Sequence, residues 1–275
     1  MKSLNLSKDK KSILELIKGD SDKLEARQLK KILKPVPVVK LIPSLITLIG
    51  LIIGVSSIRF GLDNKWEIAV YCILTAAVID GIDGGVARIL NATSPFGAEL
   101  DSLCDFVNFG LCPALLIYLW SFQQYEFKVT SWAAIMLFVV CMAIRLARFN
   151  VTAYKASDKS KYFFTGVPAP GGAILALLPM IMDFDLTAKI EFNTRNHTLL
   201  INVYIVFIAL LLASRFPTFS IKNLDIKPEY LSLSMIIAAI IIIITVIYPW
   251  YTIPLLAIIY LLSIPISIYV ANKLS

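Results

Sequence analysis

Eight apolar stretches, most of them about as long as a bilayer is thick, recur along this 275-residue chain. They run over approximately 42–60, 66–90, 97–121, 130–151, 169–183, 198–214, 230–249 and 252–271. Backbone polar groups have no water to bond in the hydrocarbon layer, so each stretch must satisfy them internally as a helix. The chain is therefore expected to be an all-α integral membrane protein with about eight spans. The fifth stretch is short, and Pro179 is placed to kink it. The last two are read as separate helices joined by a tight turn near Pro249, Trp250 and Tyr251, because about 20 residues already cross a bilayer. A soluble reading fails on composition: 58% of residues are hydrophobic and only 16% charged, against about 25% charged in soluble domains.

Basic residues orient the spans. With the N-terminus inside, the cytosolic side holds Arg88, Arg145, Arg148, Lys155, Lys159, Lys161, Arg215, Lys222, Lys227 and Lys273. The other side holds only Lys65, Lys128, Lys189 and Arg195, with Arg59 close by. An even helix count returns the C-terminus to the cytosol. The expectation is a multi-pass protein of the cytoplasmic (inner) membrane with both termini in the cytosol. Residues 1–40 form a cytosolic segment, whose positions 7–34 suit one or two amphipathic helices lying on the leaflet or packed on a partner. Residues 41–214 would be a six-helix core, and 215–275 a cytosolic loop and two further spans.

The formal net charge of +7 does not indicate a nucleic-acid partner. Eleven of the 26 Lys and Arg residues lie in the first 40 positions, mixed with Asp9, Glu15, Asp20, Asp22 and Glu25 and without interleaved aromatics. Contact with anionic lipid headgroups fits better. Cys72, Cys104, Cys112 and Cys141 sit in apolar stretches without metal-ligand spacing, and His197 is the single histidine. A Cys/His metal site and a Ser-His-Asp triad are thereby excluded.

Against this background the acids in the second and third spans stand out, because intramembrane carboxylates are costly and mark function. Asp80 and Asp83 lie about 60° apart on a helix, and Asp101 and Asp105 about 40° apart. Each pair shares a face, and the short link between the spans lets the two faces meet. Four carboxylates cannot all stay ionised there without positive charge. Hard divalent cations with oxygen ligands, Mg²⁺ or Mn²⁺, fit best. Packing links to Arg88 would not balance four acids. An ion or proton transporter would need acidic stations spread over several helices, and these are absent. Gly81, Gly84, Gly85, Ala87, Gly97 and Ala98 surround the acids and leave room for a bulky diphosphate.

Residues 80–105, DGIDGGVARILNATSPFGAELDSLCD, resemble the signature of the CDP-alcohol phosphatidyltransferase family, D-x2-D-G-x2-A-R-x8-G-x3-D-x3-D. Asp80, Asp83, Gly84, Ala87, Arg88, Gly97, Asp101 and Asp105 fill every fixed position. PSLITLIG at 43–50 is similar to the family's P-N-x-L-T-x-x-G stretch, with Ser44 in place of asparagine. The resemblance implies two divalent cations on the diphosphate of a CDP-diacylglycerol donor. Asp80, Asp83 and Asp101 would be ligands; Asp105 would complete the second metal site and act as general base. Ser44, Thr47, Asp80, Gly84, Ala87, Arg88 and Ser94 would contact the donor. A homodimer is a further implication.

The signature leaves the acceptor alcohol open. RLARFN at 145–150 and FFTGVPAPGGA at 163–173 resemble the phosphatidylserine synthase branch of the family. Arg145 and Arg148 share a helix face and need anionic partners beside a metal site. L-serine offers a hydroxyl to attack and a carboxylate to hold, with Asn150 a further acceptor contact. Glycerol 3-phosphate or inositol phosphate would call for a denser basic cluster, and choline for an aromatic or acidic cage. Thr165, Gly166, Pro168 and Pro170 are expected to shape a re-entrant loop, with Gly171 and Gly172 opening the fifth helix.

Overall fold

The computed structural model describes residues 41–123, 128–154, 163–185, 194–214, 216–219 and 230–274. The amphipathic segment expected at 7–34 and the loop cations Lys155, Lys159, Lys161, Lys189, Arg215, Lys222 and Lys227 lie outside them. Residues Ile42–Ser275 form one compact unit. Eight long helices order the described residues: α1 Ile42–Leu62, α2 Trp66–Ile89, α3 Pro95–Phe122, α4 Lys128–Tyr154, α5 Ala169–Asp185, α6 Thr198–Ala213, α7 Leu231–Ile247 and α8 Pro249–Leu274. Five of them, α1 to α4 and α8, are long and apolar enough to cross a membrane, and α6 and α7 are shorter apolar helices. Large apolar side chains such as Ile52, Val78, Val203 and Val246 are more than half exposed. A water-soluble protein would not display so much of this surface, and the chain is a multi-pass membrane protein.

Helix ends follow local chemistry. Helix α2 closes in a Schellman arrangement, with Asn91 in the left-handed region at φ 49°. The Asn91 N–H donates to the Arg88 carbonyl at 3.2 Å and the Ala92 N–H to the Ala87 carbonyl at 2.9 Å. Three residues later Ser94 caps α3, accepting from the Gly97 N–H at 3.0 Å, with Pro95 in the first turn. The link between the two acid-bearing helices is thus only 90–94, which fixes them as an up-down pair. The turn between the last two helices is tighter still. Tyr248 alone separates α7 from α8, so Trp250 and Tyr251 belong to the first turn of α8 rather than to the connection.

In lipid, apolar burial does not drive helices together; close packing does. Pro43, Thr47, Gly50, Gly54, Ser57 and Gly61 form the buried face of α1. That face packs along α2 and against α3. Gly54 is the tightest point, since a Cβ there would collide with the Asn108 carboxamide. The core joins α3 and α5 to α4 and α6 through Phe109, Leu116, Phe138, Met142, Leu177 and Met180. Helix α8 docks by Trp250, whose ring lies 4.8 Å from both Tyr71 of α2 and Phe184 of α5. Helix α7 buries none of its residues.

Two features depart from a regular all-helical reading. Helix α3 carries two π-helical segments, Phe106–Leu111 and Tyr118–Phe122. Pro113 has no N–H for the Phe109 carbonyl, and its ring crowds that carbonyl. The helix widens just before it, the Cys112 N–H bonding to the Val107 carbonyl instead. In addition, Phe163–Thr165 (β1) pairs antiparallel with Pro217–Phe219 (β2). Gly166 extends the ribbon with φ +83°, a conformation that favours glycine, and its N–H donates to the Phe216 carbonyl at 2.9 Å. This ribbon ties the segment before α5 to the segment after α6, and Pro170 lies in the first turn of α5, where a missing N–H costs nothing.

Candidate active site

Asp80 and Asp83 enter the site from the second half of α2, and Asp101 and Asp105 from the first turns of α3. The structure brings three of them into one ligand set. Asp80, Asp101 and Asp105 each offer a carboxylate oxygen, and these oxygens lie within 4.8 Å of one another. Asp105 and Asp80 are close enough for each carboxylate to act on the other's charge. Asp83 stands apart from this triad but within electrostatic reach of Asp80 and Asp101. It is 4% exposed, the most deeply buried of the four.

Asp83 owes its position to α1. Thr47 Oγ1 lies 2.6 Å from Asp83 Oδ2 and 3.0 Å from the Pro43 carbonyl oxygen. With a single hydroxyl proton, the threonine donates to the carboxylate, where the bond is charge-assisted and short. Thr47, expected as a donor contact, is thus occupied in holding an acid. Ser44 lies one turn earlier on α1, near the start of α3: a Cβ on Gly97 would be 3.7 Å from its hydroxyl oxygen. Ser94 is occupied as the α3 cap.

Along α2 a Cβ on Gly81, Gly84 or Gly85 would meet nothing within 4 Å. The helix is bare on this side, Ala87 is half-buried and Arg88 is exposed. Open space therefore flanks the acids on this side of α2.

The three residues expected to hold the acceptor come from the end of α4, and each has a protein partner. Arg145 donates from Nε to the Val167 carbonyl at 2.6 Å and lies in electrostatic reach of Asp105 and Asp80. Arg148 donates from Nη2 to the Leu212 carbonyl at 3.2 Å, at the C-terminal end of α6. Asn150 donates from Nδ2 to Ser102 Oγ at 2.9 Å, beside Asp101. These side chains brace the loop before α5, the end of α6 and the start of α3 around the acids. Arg145 reaches the acids themselves.

Sequence reasoning missed one neighbour of the site. Tyr260, on the eighth helix, is in electrostatic reach of Arg145. The nearly uniform apolar sequence of α8 hides it, although it falls on the buried stripe with Ile253, Ala257 and Ile264. Asn108 is buried seven residues after Asp101, and no described side chain bonds its Oδ1. Its place next to Gly54 depends on α1–α3 packing that no local pattern records.

The residues fit a divalent cation. The donor set is all hard oxygen, with three ligand atoms already converged. Four carboxylates with Arg145 beside them leave a negative excess that a dication would neutralise.

Comparison with known proteins agrees with this geometry. Residues 40–247 match the model of the CDP-alcohol phosphatidyltransferase family. A Mycobacterium leprae protein named CDP-diacylglycerol–serine O-phosphatidyltransferase is 32% identical over 234 residues, covering 84% of this chain and 75% of that protein. A Helicobacter pylori protein of the same name is 34% identical over 195 residues, covering 70% of this chain and 78% of its own. With a family match over most of its length, and with the aspartates of the signature converged in space, this chain belongs to the CDP-alcohol phosphatidyltransferase family.

Proposed function

We propose that this enzyme transfers the phosphatidyl group of CDP-diacylglycerol to the hydroxyl of L-serine, giving phosphatidylserine and CMP. The observation that carries the reading is the convergence of Asp80, Asp101 and Asp105 with Arg145 within reach. The relatives named as serine transferases support serine as the acceptor.

In the proposed reaction the serine oxygen forms a bond to the phosphorus that carries the diacylglycerol. The bond from that phosphorus to the bridging oxygen breaks, and CMP leaves with the electron pair. Asp105 takes the proton of the attacking hydroxyl, for which a base must lie within hydrogen-bond reach. Two divalent cations, Mg²⁺ or Mn²⁺, held by Asp80, Asp83, Asp101 and Asp105, would supply charge neutralisation for the diphosphate. Thr47 keeps Asp83 oriented toward that set. Ser44, Gly84, Ala87, Arg88 and Ser94 would line the donor's path, where the bare side of α2 leaves space. Arg145 would hold the serine carboxylate, and Arg148 and Asn150 the walls of the acceptor pocket.

The chemistry would sit in the core 41–214, at the cytosolic edge of the inner membrane, in a homodimer; the basic residues Arg88, Arg145 and Arg148 at that end support this orientation. Transfer to glycerol 3-phosphate, inositol phosphate or choline is the alternative, and a metal or proton transporter the rival from another class. Purified protein given CDP-diacylglycerol, Mn²⁺ or Mg²⁺ and labelled acceptors in parallel distinguishes these. CMP release with serine but not with glycerol 3-phosphate is expected. Release without any acceptor, or with none of them, would overturn the proposal.

A further inference from the structure

The far end of the bundle carries a cavity that the transfer reaction does not use. Its volume is about 550 Å³, and its walls include Leu62, Asn64, Trp66, Gln123, Lys128 and Arg195. Trp66 and Asp80 are 14 residues apart on α2, which at about 1.5 Å per residue places the cavity ~21 Å along the helix from the acids. It is a separate place on the molecule.

Its chemistry is that of an anion site at a membrane interface. Among the described residues, two cations line it and no carboxylate does; Asp63 and Glu67, close by in sequence, are not among its walls. Arg195 is fixed in position. Its Nε donates to the Trp120 carbonyl at 2.5 Å, its guanidinium lies 5.6 Å from the Trp66 ring centroid, and Ser121 Oγ donates to its backbone carbonyl at 2.9 Å. Capping the end of α3 occupies one nitrogen. The two terminal nitrogens take no hydrogen-bond acceptor among the described residues, and Lys128 is exposed. Asn64 and Gln123 add amide donors. A role confined to capping would not need a second cation, two amides and a cavity of this size around it.

We infer that this cavity binds an anionic phospholipid by its headgroup phosphate. The volume lies within the range of small-molecule pockets. Lipid is favoured over a free anion because the cavity opens among exposed apolar side chains. Leu62 on its wall is 63% exposed, and Val129 and Leu199, next along α4 and α6, are 83% and 69% exposed. Acyl chains would lie on these while the phosphate meets Arg195 and Lys128. Trp66 at this level matches the aromatic belt of membrane interfaces.

The test is native mass spectrometry and lipid titration of the purified full-length protein in detergent, with dioleoyl phosphatidylglycerol, dioleoyl phosphatidylcholine and inorganic phosphate as separate probes. Lys128→Gln alters a side chain that makes no hydrogen bond in the described structure, so folding is not at stake; Arg195→Lys keeps the charge and Arg195→Gln removes it. CMP release serves as the folding control. Phosphatidylglycerol should bind more tightly than phosphatidylcholine. It should weaken about tenfold in Lys128→Gln and further in Lys128→Gln/Arg195→Gln, with Arg195→Lys intermediate. Unchanged phosphatidylglycerol binding in Lys128→Gln would overturn the inference. So would millimolar inorganic phosphate displacing the bound lipid, because the cavity would then be a site for the free anion.

Discussion

Thr47→Val replaces a hydroxyl by a methyl group of nearly the same shape and keeps the β-branched side chain, so the packing of α1 is preserved. What it removes is the 2.6 Å hydrogen bond to the carboxylate of Asp83, a group that is 4% exposed. A hydrogen bond to a charged group is worth about 1.5–3 kcal/mol. If that stabilisation orients Asp83 for a cation, its loss weakens cation binding by roughly ten- to a hundredfold, at about 1.4 kcal/mol per factor of ten. The assay is CMP release as a function of Mn²⁺ and of Mg²⁺, with the other substrates saturating. The half-saturating metal concentration should rise by at least tenfold in Thr47→Val and return close to wild type in Thr47→Ser, which restores the donor. An unchanged metal requirement in Thr47→Val, in protein that melts at the wild-type temperature, would refute the idea that Thr47 acts through Asp83. A matching rise in Thr47→Ser would refute it too, by assigning the effect to the methyl group.

Asp105→Asn should abolish turnover and retain CDP-diacylglycerol binding, measured by equilibrium binding of labelled donor; lost donor binding would make Asp105 chiefly a metal ligand. Gly54→Ala should destabilise the protein by about 1–3 kcal/mol through overpacking against Asn108. Gly54→Ala/Asn108→Ala should recover much of that loss in a thermal melt, and simple additivity would contradict the contact. Arg148→Ala should raise the serine concentration needed for half-maximal rate; an unchanged requirement would confine Arg148 to bracing the end of α6 at Leu212.

The legible parts of this molecule are those set by local pattern. Apolar runs placed all eight helices, with ends within a few residues of the observed ones, because the length of an apolar run and the turn chemistry at its ends are written side by side in the chain. The spacing of Asp80, Asp83, Asp101 and Asp105 marked the site for the same reason: it is a fixed offset on two neighbouring helices. The division within that set was not legible. Thr47 is 36 residues from Asp83, and only the packing of α1 on α2 shows that its hydroxyl serves an acid. The π segment after Asp105 had a signal in Pro113, but a proline inside an apolar run does not say whether the helix kinks, breaks or widens. The β1–β2 ribbon joins segments 52 residues or more apart, each three residues long, too short for alternation to register. Tyr260 beside Arg145 is the same kind of case, a long-range neighbour from a helix whose apolar sequence marks no functional residue.

Mn²⁺ titration of the purified enzyme, followed by electron paramagnetic resonance, tests the carboxylate site most directly. Wild-type protein should deplete the free Mn²⁺ signal by a saturable amount, Mg²⁺ should compete, and Asp101→Asn should lose most of the bound fraction. Equal Mn²⁺ binding by wild type and Asp101→Asn would contradict the assignment of Asp80, Asp101 and Asp105 as the metal-holding set.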